Sequence, residues 1–202
     1  MNDINLPYSA SAERNRQPIL DVLNGLLTEN GEVLEIGSGT GQHAVYFSQN
    51  LSGITWQPSD RAQNLQILKA QFAQHSNASL KPVIALNVLE SEWPDTRFVA
   101  VYSANTAHIM PWKAVEAMFQ GVSACLRPAG LFCLYGPFNI NGQFTSDSNQ
   151  QFDGRLRSEN ALMGIRDLEA IETLASRHQL ILEQRITMPA NNFILVFRKD
   201  DH

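Results

Sequence analysis

From Gly31 onward, short apolar runs alternate with longer stretches of helical periodicity. Residues 33–36, 54–57, 83–86, 98–103 and 131–135 read as strands, with predicted helices at 41–50, 62–75 and 112–126 between them. The second helix puts Leu65, Leu68 and Phe72 on one face, and the third does the same with Val115, Met118, Phe119, Val122 and Leu126. The third ends in Arg127-Pro128-Ala129-Gly130, a stop signal because proline cannot continue a helix and glycine frees the turn. Such alternation predicts βαβ units and a parallel sheet with helices on both faces. A further helix, from about residue 18 to 27, precedes the first strand and follows a polar N-terminal segment.

The C-terminal end departs from this pattern. Residues 165–178 read as a helix with Ile165, Leu168, Ile171, Leu174 and Ala175 apolar and Asp167 as its N-cap. Two strands follow, at 180–188 and 193–198, separated only by Pro189-Ala190-Asn191-Asn192. A parallel crossover needs a dozen or more residues, so these two must form a hairpin and one must run against the rest of the sheet. Residues 136–164 lack clear periodicity, and Asn139, Asn141, Thr145, Ser146, Ser148 and Asn149 make them polar. A stretch of that length reads as a substrate-side loop or lid. With 202 residues the chain fits a single domain, residues 1–30 forming an N-terminal flap and helix.

The densest chemical signal is Val33-Leu34-Glu35-Ile36-Gly37-Ser38-Gly39-Thr40-Gly41-Gln42-His43. An apolar strand ends in an acid, glycines occupy alternate positions, and a helix begins. Glycines there let backbone turn sharply and approach a ligand with no Cβ in the way. A loop leaving a strand and opening a helix also aims free N–H groups outward. It is a cradle for a nucleotide-type cofactor.

Composition narrows the partners. Hydrophobic content of 44% and charged content of 17% describe a folded protein, and a net charge of -5 argues against a broad nucleic-acid surface. Arg155, Arg157 and Arg166 form either a solvated face or a local site for an anionic group. Cys125 and Cys133 have no metal-ligand or redox spacing and read as small core residues. The first residues have no apolar signal-like core, and no run approaches a membrane span, so a cytoplasmic protein without membrane partners is expected.

The loop reads G-x-G-x-G with Gln42 in the sixth position, where a dinucleotide fold places glycine. No G-K-[ST] follows, which removes a P-loop, and the centre of the motif is glycine, which removes a serine nucleophile elbow. Glu35-Ile36-Gly37-Ser38-Gly39-Thr40-Gly41 resembles the first motif of class I S-adenosylmethionine-dependent methyltransferases, and the closing hairpin resembles their sixth and seventh strands. More narrowly, five segments together resemble the methyltransferase-like protein 26 family. They are Arg14-Asn15, Gly41-Gln42-His43, Trp56-Gln57-Pro58-Ser59-Asp60, His108-Ile109-Met110-Pro111-Trp112 and Tyr135-Gly136-Pro137-Phe138. The resemblance implies a Rossmann-like three-layer α/β sandwich. Its seven-stranded, mostly parallel sheet has the order 3-2-1-4-5-7-6 and an antiparallel C-terminal strand.

The resemblance also implies cofactor roles. Gly37, Ser38, Gly39 and Gly41 would approach the methionyl part of S-adenosylmethionine, Glu35 its ammonium, and Arg14 its carboxylate. Asp60 would accept from the ribose hydroxyls, which suits a group able to take two hydrogen bonds. Asn87 stands where relatives often carry Asp for the adenine amino group, and Val88 would pack on the adenine face. Bland readings stand beside these: Glu35 also suits a turn cap, Asp60 an N-cap, and Asn87 a turn residue. His43 faces either cofactor or a neighbouring helix, and Tyr8, Arg14 and Asn15 suit a flap over the cofactor.

In an open α/β sheet ligands bind beyond the carboxyl ends of the strands, so Asn105, His108, Tyr135 and the loop after Gly136 should rim the acceptor. His108 is the candidate base, with Tyr135 beside it as a candidate catalytic group, because imidazole titrates near neutrality. The competing reading is a structural histidine bonded to backbone. Trp112 reads as an anchor for its helix. Asn105-Thr106-Ala107-His108 lacks the Asn/Asp-Pro-Pro-aromatic run of amino-methylating nucleic-acid enzymes, which points to a small-molecule acceptor. The alternative is a module that binds S-adenosylmethionine or its demethylated product without catalysis.

Overall fold

The computed structural model describes residues 6–90 and 92–200. They form two compact units: one reaches to Asn87 and includes Phe98–Ala100, and the other comprises Val88–Arg97 and the chain from Val101 onward.

The first unit contains α1 (Ala10–Leu26), β1 (Gly31–Ile36), α2 (Gln42–Asn50), β2 (Ile54–Asp60), a 3-10 turn (Ala62–Asn64), α3 (Leu65–Gln74) and the short β3 (Ile84–Ala85). β1 and β2 pair in parallel, with Gly31 opposite Ile54 and Ile36 opposite Ser59. The last four residues of β1 are all buried, as expected of a parallel strand covered on both faces. Strand β2 runs three residues beyond its predicted end, and the parallel register carries Asp60 level with the start of the glycine loop. On α3, Leu68 and Phe72 are buried, the face that the spacing predicted.

Helix α1 corrects one expectation. The helix starts at Ala10, not near residue 18, so Arg14 and Asn15 sit on a helix and not in a flap. The side chain of Ser9 caps it by accepting from the Ala12 N–H at 3.2 Å. Pro18 lies inside this helix, where its missing N–H normally breaks the ladder. Burial of Ile19, Leu20 and Leu23 on one face offsets that cost.

Strand β4 (Phe98–Ala104) contributes its first residues to the first unit and the rest to the second. The second unit continues with α4 (Trp112–Cys125), β5 (Leu126–Gly136), β6 (Phe138–Asn139), α5 (Asp147–Glu159), β7 (Arg166–Asp167), α6 (Leu168–Arg177), β8 (Leu180–Met188) and β9 (Asn192–Lys199). Its core is aromatic: Phe119 lies edge-on to Phe132 and Phe197 at 5.2 and 5.6 Å. β5 begins at Leu126, so the Pro128-Ala129-Gly130 stop signal ends α4 inside an extended strand and not in a loop. Asp167 takes the N-cap position of α6 as expected, although its side chain makes no capping bond.

The predicted hairpin is present. β9 runs antiparallel to both β5 and β8, and Ala190 and Asn191 turn the chain with φ of 58° and 56°. Two successive residues at positive φ match the twist of a tight hairpin. The main sheet has the order β3-β2-β1-β4-β5-β9-β8. This is the predicted 3-2-1-4-5-7-6 once β6 and β7 are set aside, since they pair only with each other in a separate parallel ribbon.

Residues 136–164 are not a plain loop, because α5 occupies their middle. Its buried positions are Asn149, Asp153 and Leu156, a helical spacing carried mostly by polar side chains. A hydrophobic pattern cannot register such a face. Asn149 donates to Thr145 Oγ1 at 2.9 Å and to the Asn191 carbonyl in the hairpin turn at 3.1 Å, which fastens the start of the helix.

Candidate functional site

In the first unit the chain leaves β1 at Ile36 and enters α2 at Gln42, with Gly37, Gly39 and Gly41 at φ of 75°, 56° and 77°. The three serve different needs. A Cβ on Gly41 would stand 2.8 Å from Phe72 Cε1, so its side-chain-free face is required by α3. A Cβ on Gly39 would meet nothing nearer than the Gly37 carbonyl oxygen at 4.0 Å, so that part of the loop faces open space. The loop is held from behind by β2: Gly37 N–H and Ser38 N–H both donate to the Ser59 carbonyl at 3.0 Å. Asp60 Oδ2 accepts from Gly39 N–H at 2.8 Å, while its Oδ1 accepts from Arg61 N–H and Asn64 Nδ2, each at 2.7 Å. One carboxylate therefore both starts the following turn, with Arg61 and not Asp60 at the cap position, and fixes the glycine loop.

Glu35 is buried beneath the loop. Its Oε2 accepts from Ser38 Oγ at 2.7 Å and from Trp56 Nε1 at 3.2 Å. Burial pushes its pKa up to about 7, against the two hydrogen bonds, and the nearby Asp60 charge adds to the rise. Beyond the loop, Gln42 takes over where a dinucleotide fold has glycine. Its Oε1 accepts from Ser9 N–H at 2.6 Å and from Thr40 Oγ1 at 3.0 Å, and its Nε2 donates to Glu13. His43 Nε2 and Asn15 Oδ1 are 2.8 Å apart, both side chains buried, and the ring stacks on Phe47. Burial lowers the His43 pKa to about 4, so it is a neutral clamp between α1 and α2. Arg14, one position away on α1, is exposed and makes no ion pair among the described residues. Tyr8 is also exposed. Asn87 follows β3 and is half-buried.

The second unit gathers a different set. Val88 is buried, as is Tyr135 near the end of β5. Asn105, just past β4, adopts φ of 58° and donates its N–H to the Tyr135 carbonyl at 2.9 Å. His108 is buried, and its ring makes no hydrogen bond among the described residues. A Cβ on Gly136 would lie 3.7 Å from His108 Nδ1 and 4.0 Å from Asn105 Oδ1, so these side chains converge at the end of β5. Phe152 of α5 meets the His108 ring edge-on at 5.2 Å. Burial, with a smaller push from the Arg166 charge, lowers the His108 pKa to about 4.

The loop bearing His108 is tied down through its backbone. Gly164 N–H donates to the His108 carbonyl at 2.9 Å, and Arg166 donates to the carbonyls of Ala107, Met110 and Leu162. Asp153 is buried, accepts from Ile165 N–H at 2.7 Å, and pairs with Arg157 at 2.7 Å. Two of the three arginines thus do structural work, and the third, Arg155, is exposed over the Phe152 ring. Trp112 donates to Glu116 at 3.0 Å within the first turn of α4, the anchoring role expected of it. Among the described residues no group of three or more potential ligands could hold a metal ion, and no helix is long and apolar enough to cross a membrane.

A family described as "protein of unknown function (DUF938)" matches residues 6–199. This chain belongs to the DUF938 family. Solved structures give this DUF938 protein its fold. An O-methyltransferase family protein from Burkholderia thailandensis superposes with a TM-score of 0.81 at 12% identity, over 94% of this chain and 57% of that one. Human N-acetylserotonin methyltransferase, solved in complex with S-adenosylmethionine, gives 0.77 at 14% identity, over 94% and 53%. A candidate sarcosine dimethylglycine methyltransferase from Galdieria sulphuraria gives 0.74 at 15% identity, over 96% and 92%. The DUF938 chain spans little more than half the length of the first two. The shared fold is the Rossmann-like class I methyltransferase fold, with helices on both sides of a mixed seven-stranded sheet.

Sequence reasoning passed over several residues that build these sites in the DUF938 chain. Trp56 was visible only as part of a motif, yet it donates to the acid beneath the loop. Gln42 stood out as a missing glycine and as part of a motif, with no sign that it binds the loop to the start of α1. Phe152 and Asp153 lie in the stretch without periodicity, so nothing in the hydrophobic pattern marked them.

Proposed function

We propose that the chain is an S-adenosylmethionine-dependent methyltransferase acting on a small-molecule acceptor. The observation that carries this reading is the glycine loop after β1. It is bound to β2 by Ser59 and Asp60, opens to space at Gly39, and has a buried acid beneath it. A loop whose Cβ positions are open on one side only, with carboxylates at both neighbouring strand ends, fits a ligand carrying an ammonium and vicinal hydroxyls. Bound there, S-adenosylmethionine supplies an electrophilic methyl group on a sulfonium sulfur.

The chain's residues take the following parts. Gly37, Ser38 and Gly39 line the amino-acid end of the donor, Glu35 balances its ammonium, and Arg14 is the cation available to its carboxylate. Gly41 and His43 hold the loop onto α3 and α1. Asp60 has lone pairs left for ribose hydroxyls after its three protein donors, since an ionised carboxylate offers about four acceptor sites. Asn87 and Val88 serve the adenine. On the acceptor side, His108 is neutral at physiological pH and has no hydrogen-bonded partner on its ring among the described residues. It is the group placed to take the proton of the acceptor's O–H or N–H, although burial makes it a weaker base than the free imidazole that the sequence suggested, while Tyr135 and Asn105 frame the group that loses it. Holding the acceptor in line supplies much of the rate in a transfer of this kind.

The narrower resemblance to the methyltransferase-like protein 26 family is part of the proposal. It is supported by the way its segments meet: Asn15 pairs with His43, and a Cβ on Gly136 would lie 3.7 Å from His108 Nδ1. The test begins with titration of the protein with S-adenosylmethionine and S-adenosylhomocysteine, followed by calorimetry and thermal unfolding. Binding with stabilisation is expected, and absence of both ends the proposal. Transfer of a labelled methyl group into a metabolite extract then separates an enzyme from a binding module. Stabilisation by NAD instead would point to a nicotinamide oxidoreductase.

A further inference from the structure

Gly136 is a glycine that the backbone does not require. It closes β5, opposite Phe193 of β9, and its φ lies outside the left-handed region. Packing does not require it either. At Gly121 an added Cβ would run into the Trp93 ring. At Gly136, which is also buried, a Cβ would meet only two atoms within 4 Å apart from its chain neighbours. These are His108 Nδ1 at 3.7 Å and Asn105 Oδ1 at 4.0 Å, both at ordinary van der Waals distance. The missing side chain therefore leaves a hollow edged by a nitrogen and an oxygen, and a glycine in such a place serves close approach by another group.

The two atoms at its edge are free and within reach. The side chains of His108 and Asn105 make no hydrogen bond among the described residues, and none of their polar atoms is among those sealed from solvent without a partner. The backbone around His108 is in the opposite state. The Thr106 carbonyl accepts from the N–H groups of Ile109 and Met110, and the His108 carbonyl accepts from Gly164 N–H. Arg166 holds the carbonyls of Ala107 and Met110. A buried histidine kept for structure has its ring bonded. Here the turn that carries the ring is pinned, Phe152 meets the ring edge-on at 5.2 Å, and its nitrogens are left open.

We propose that the hollow at Gly136 seats the methyl-accepting group, a hydroxyl or an amino group, against the bare Cα and between His108 Nδ1 and Asn105 Oδ1. Gly136 is then a specificity-determining residue of the acceptor site. This rests on the methyltransferase reading above. A group seated there at about 3 Å from either atom can donate an O–H or N–H hydrogen bond. A carbon or thioether acceptor would leave both atoms unpaired, which a site built for a hydrogen-bonding group rejects strongly. The hydrogen passes to His108 Nδ1 as the accepting atom bonds the methyl carbon, and the electron pair of the broken carbon–sulfur bond stays on sulfur.

Gly136→Ala fills the hollow and changes little else. Its melting temperature should hold within about 2 °C of wild type or rise, since alanine at a compatible backbone also narrows the unfolded ensemble. Its S-adenosylmethionine affinity should stay unchanged, and labelled methyl transfer into a metabolite extract should fall at least about tenfold. Phenol is a probe that needs no methyl donor. It should shift the His108 ring signals in NMR spectra of wild type, assigned with His108→Gln, and leave those of Gly136→Ala unmoved. Wild-type transfer by the variant would overturn the proposal, as would phenol shifts that are absent from wild type or equal in the two proteins. If Gly136→Ala does not fold, Asn105→Gly tests the same hollow, because Asn105 sits at φ of 58°, which glycine adopts without strain. Transfer should again fall at least about tenfold with donor affinity intact, and retained transfer would count equally against the proposal. Failure of the parent reading shows separately, as wild type that binds no S-adenosylmethionine.

Discussion

Glu35→Gln offers a quantitative test of the buried acid beneath the glycine loop. Glutamine has nearly the same shape, and its Oε1 can keep both donors that Glu35 Oε2 now receives, from Ser38 and Trp56. The substitution therefore removes a titration and little else. In the folded chain the carboxyl titrates at about 7, raised from 4.5 chiefly by burial. A raised acid pKa means that the folded state binds the proton more tightly than the unfolded state. The contribution to stability is therefore complete below pH 4.5 and is lost as pH rises through about 7. With 1.36 kcal/mol for each pH unit between the two values, the loss is about 3 kcal/mol. Urea unfolding of both proteins from pH 4.5 to 8.5 reads this directly, because titrating groups not coupled to Glu35 cancel in the difference. The variant should gain on wild type by about 3 kcal/mol across the window and hold a constant difference above it. A difference that stays flat with pH would refute the burial argument, and one that runs the other way would mean that a cation, and not desolvation, governs the site.

Asp60→Asn leaves one oxygen for three donors and turns an N–H toward Gly39. A loss of about 1–3 kcal/mol and at least tenfold weaker S-adenosylmethionine binding are expected by denaturant melting and calorimetry, and wild-type values in both would remove Asp60 from the loop's support. Gly41→Ala forces a Cβ into the left-handed region and against Phe72, so a cost of about 2 kcal/mol or more should appear in the unfolding midpoint. An unchanged midpoint would contradict the assigned packing role. His108→Gln should slow methyl transfer by about 10²–10⁴ with donor affinity intact, and an unchanged rate would exclude it as the base.

Periodicity alone carried most of the fold. The strands and helices from Gly31 to Leu126 follow from where apolar residues recur, and the hairpin followed from a four-residue gap that no crossover can span. The glycine loop was equally legible, because alternate glycines between a strand and a helix have few other uses. These are local properties, written in residue type and spacing.

What local pattern could not carry were contacts between distant residues and faces made of polar side chains. Helix α5 buries Asn149 and Asp153 and so looked like loop. Helix α1 continues through Pro18, because burial of its apolar face and its ties to Gln42 and His43 outweigh one lost backbone bond. The pKa of Glu35 and that of His108 are set by burial, which no single segment of sequence contains. The parallel register of β1 and β2 turned Asp60 from a plausible cap into a support of the loop, since pairing fixes which residues stand level. The sequence determined which chemical groups the chain owns and the order in which they come. The tertiary structure decided which of them are desolvated, which are already spoken for, and which, like Asn139 Oδ1, are buried without a partner among the described residues.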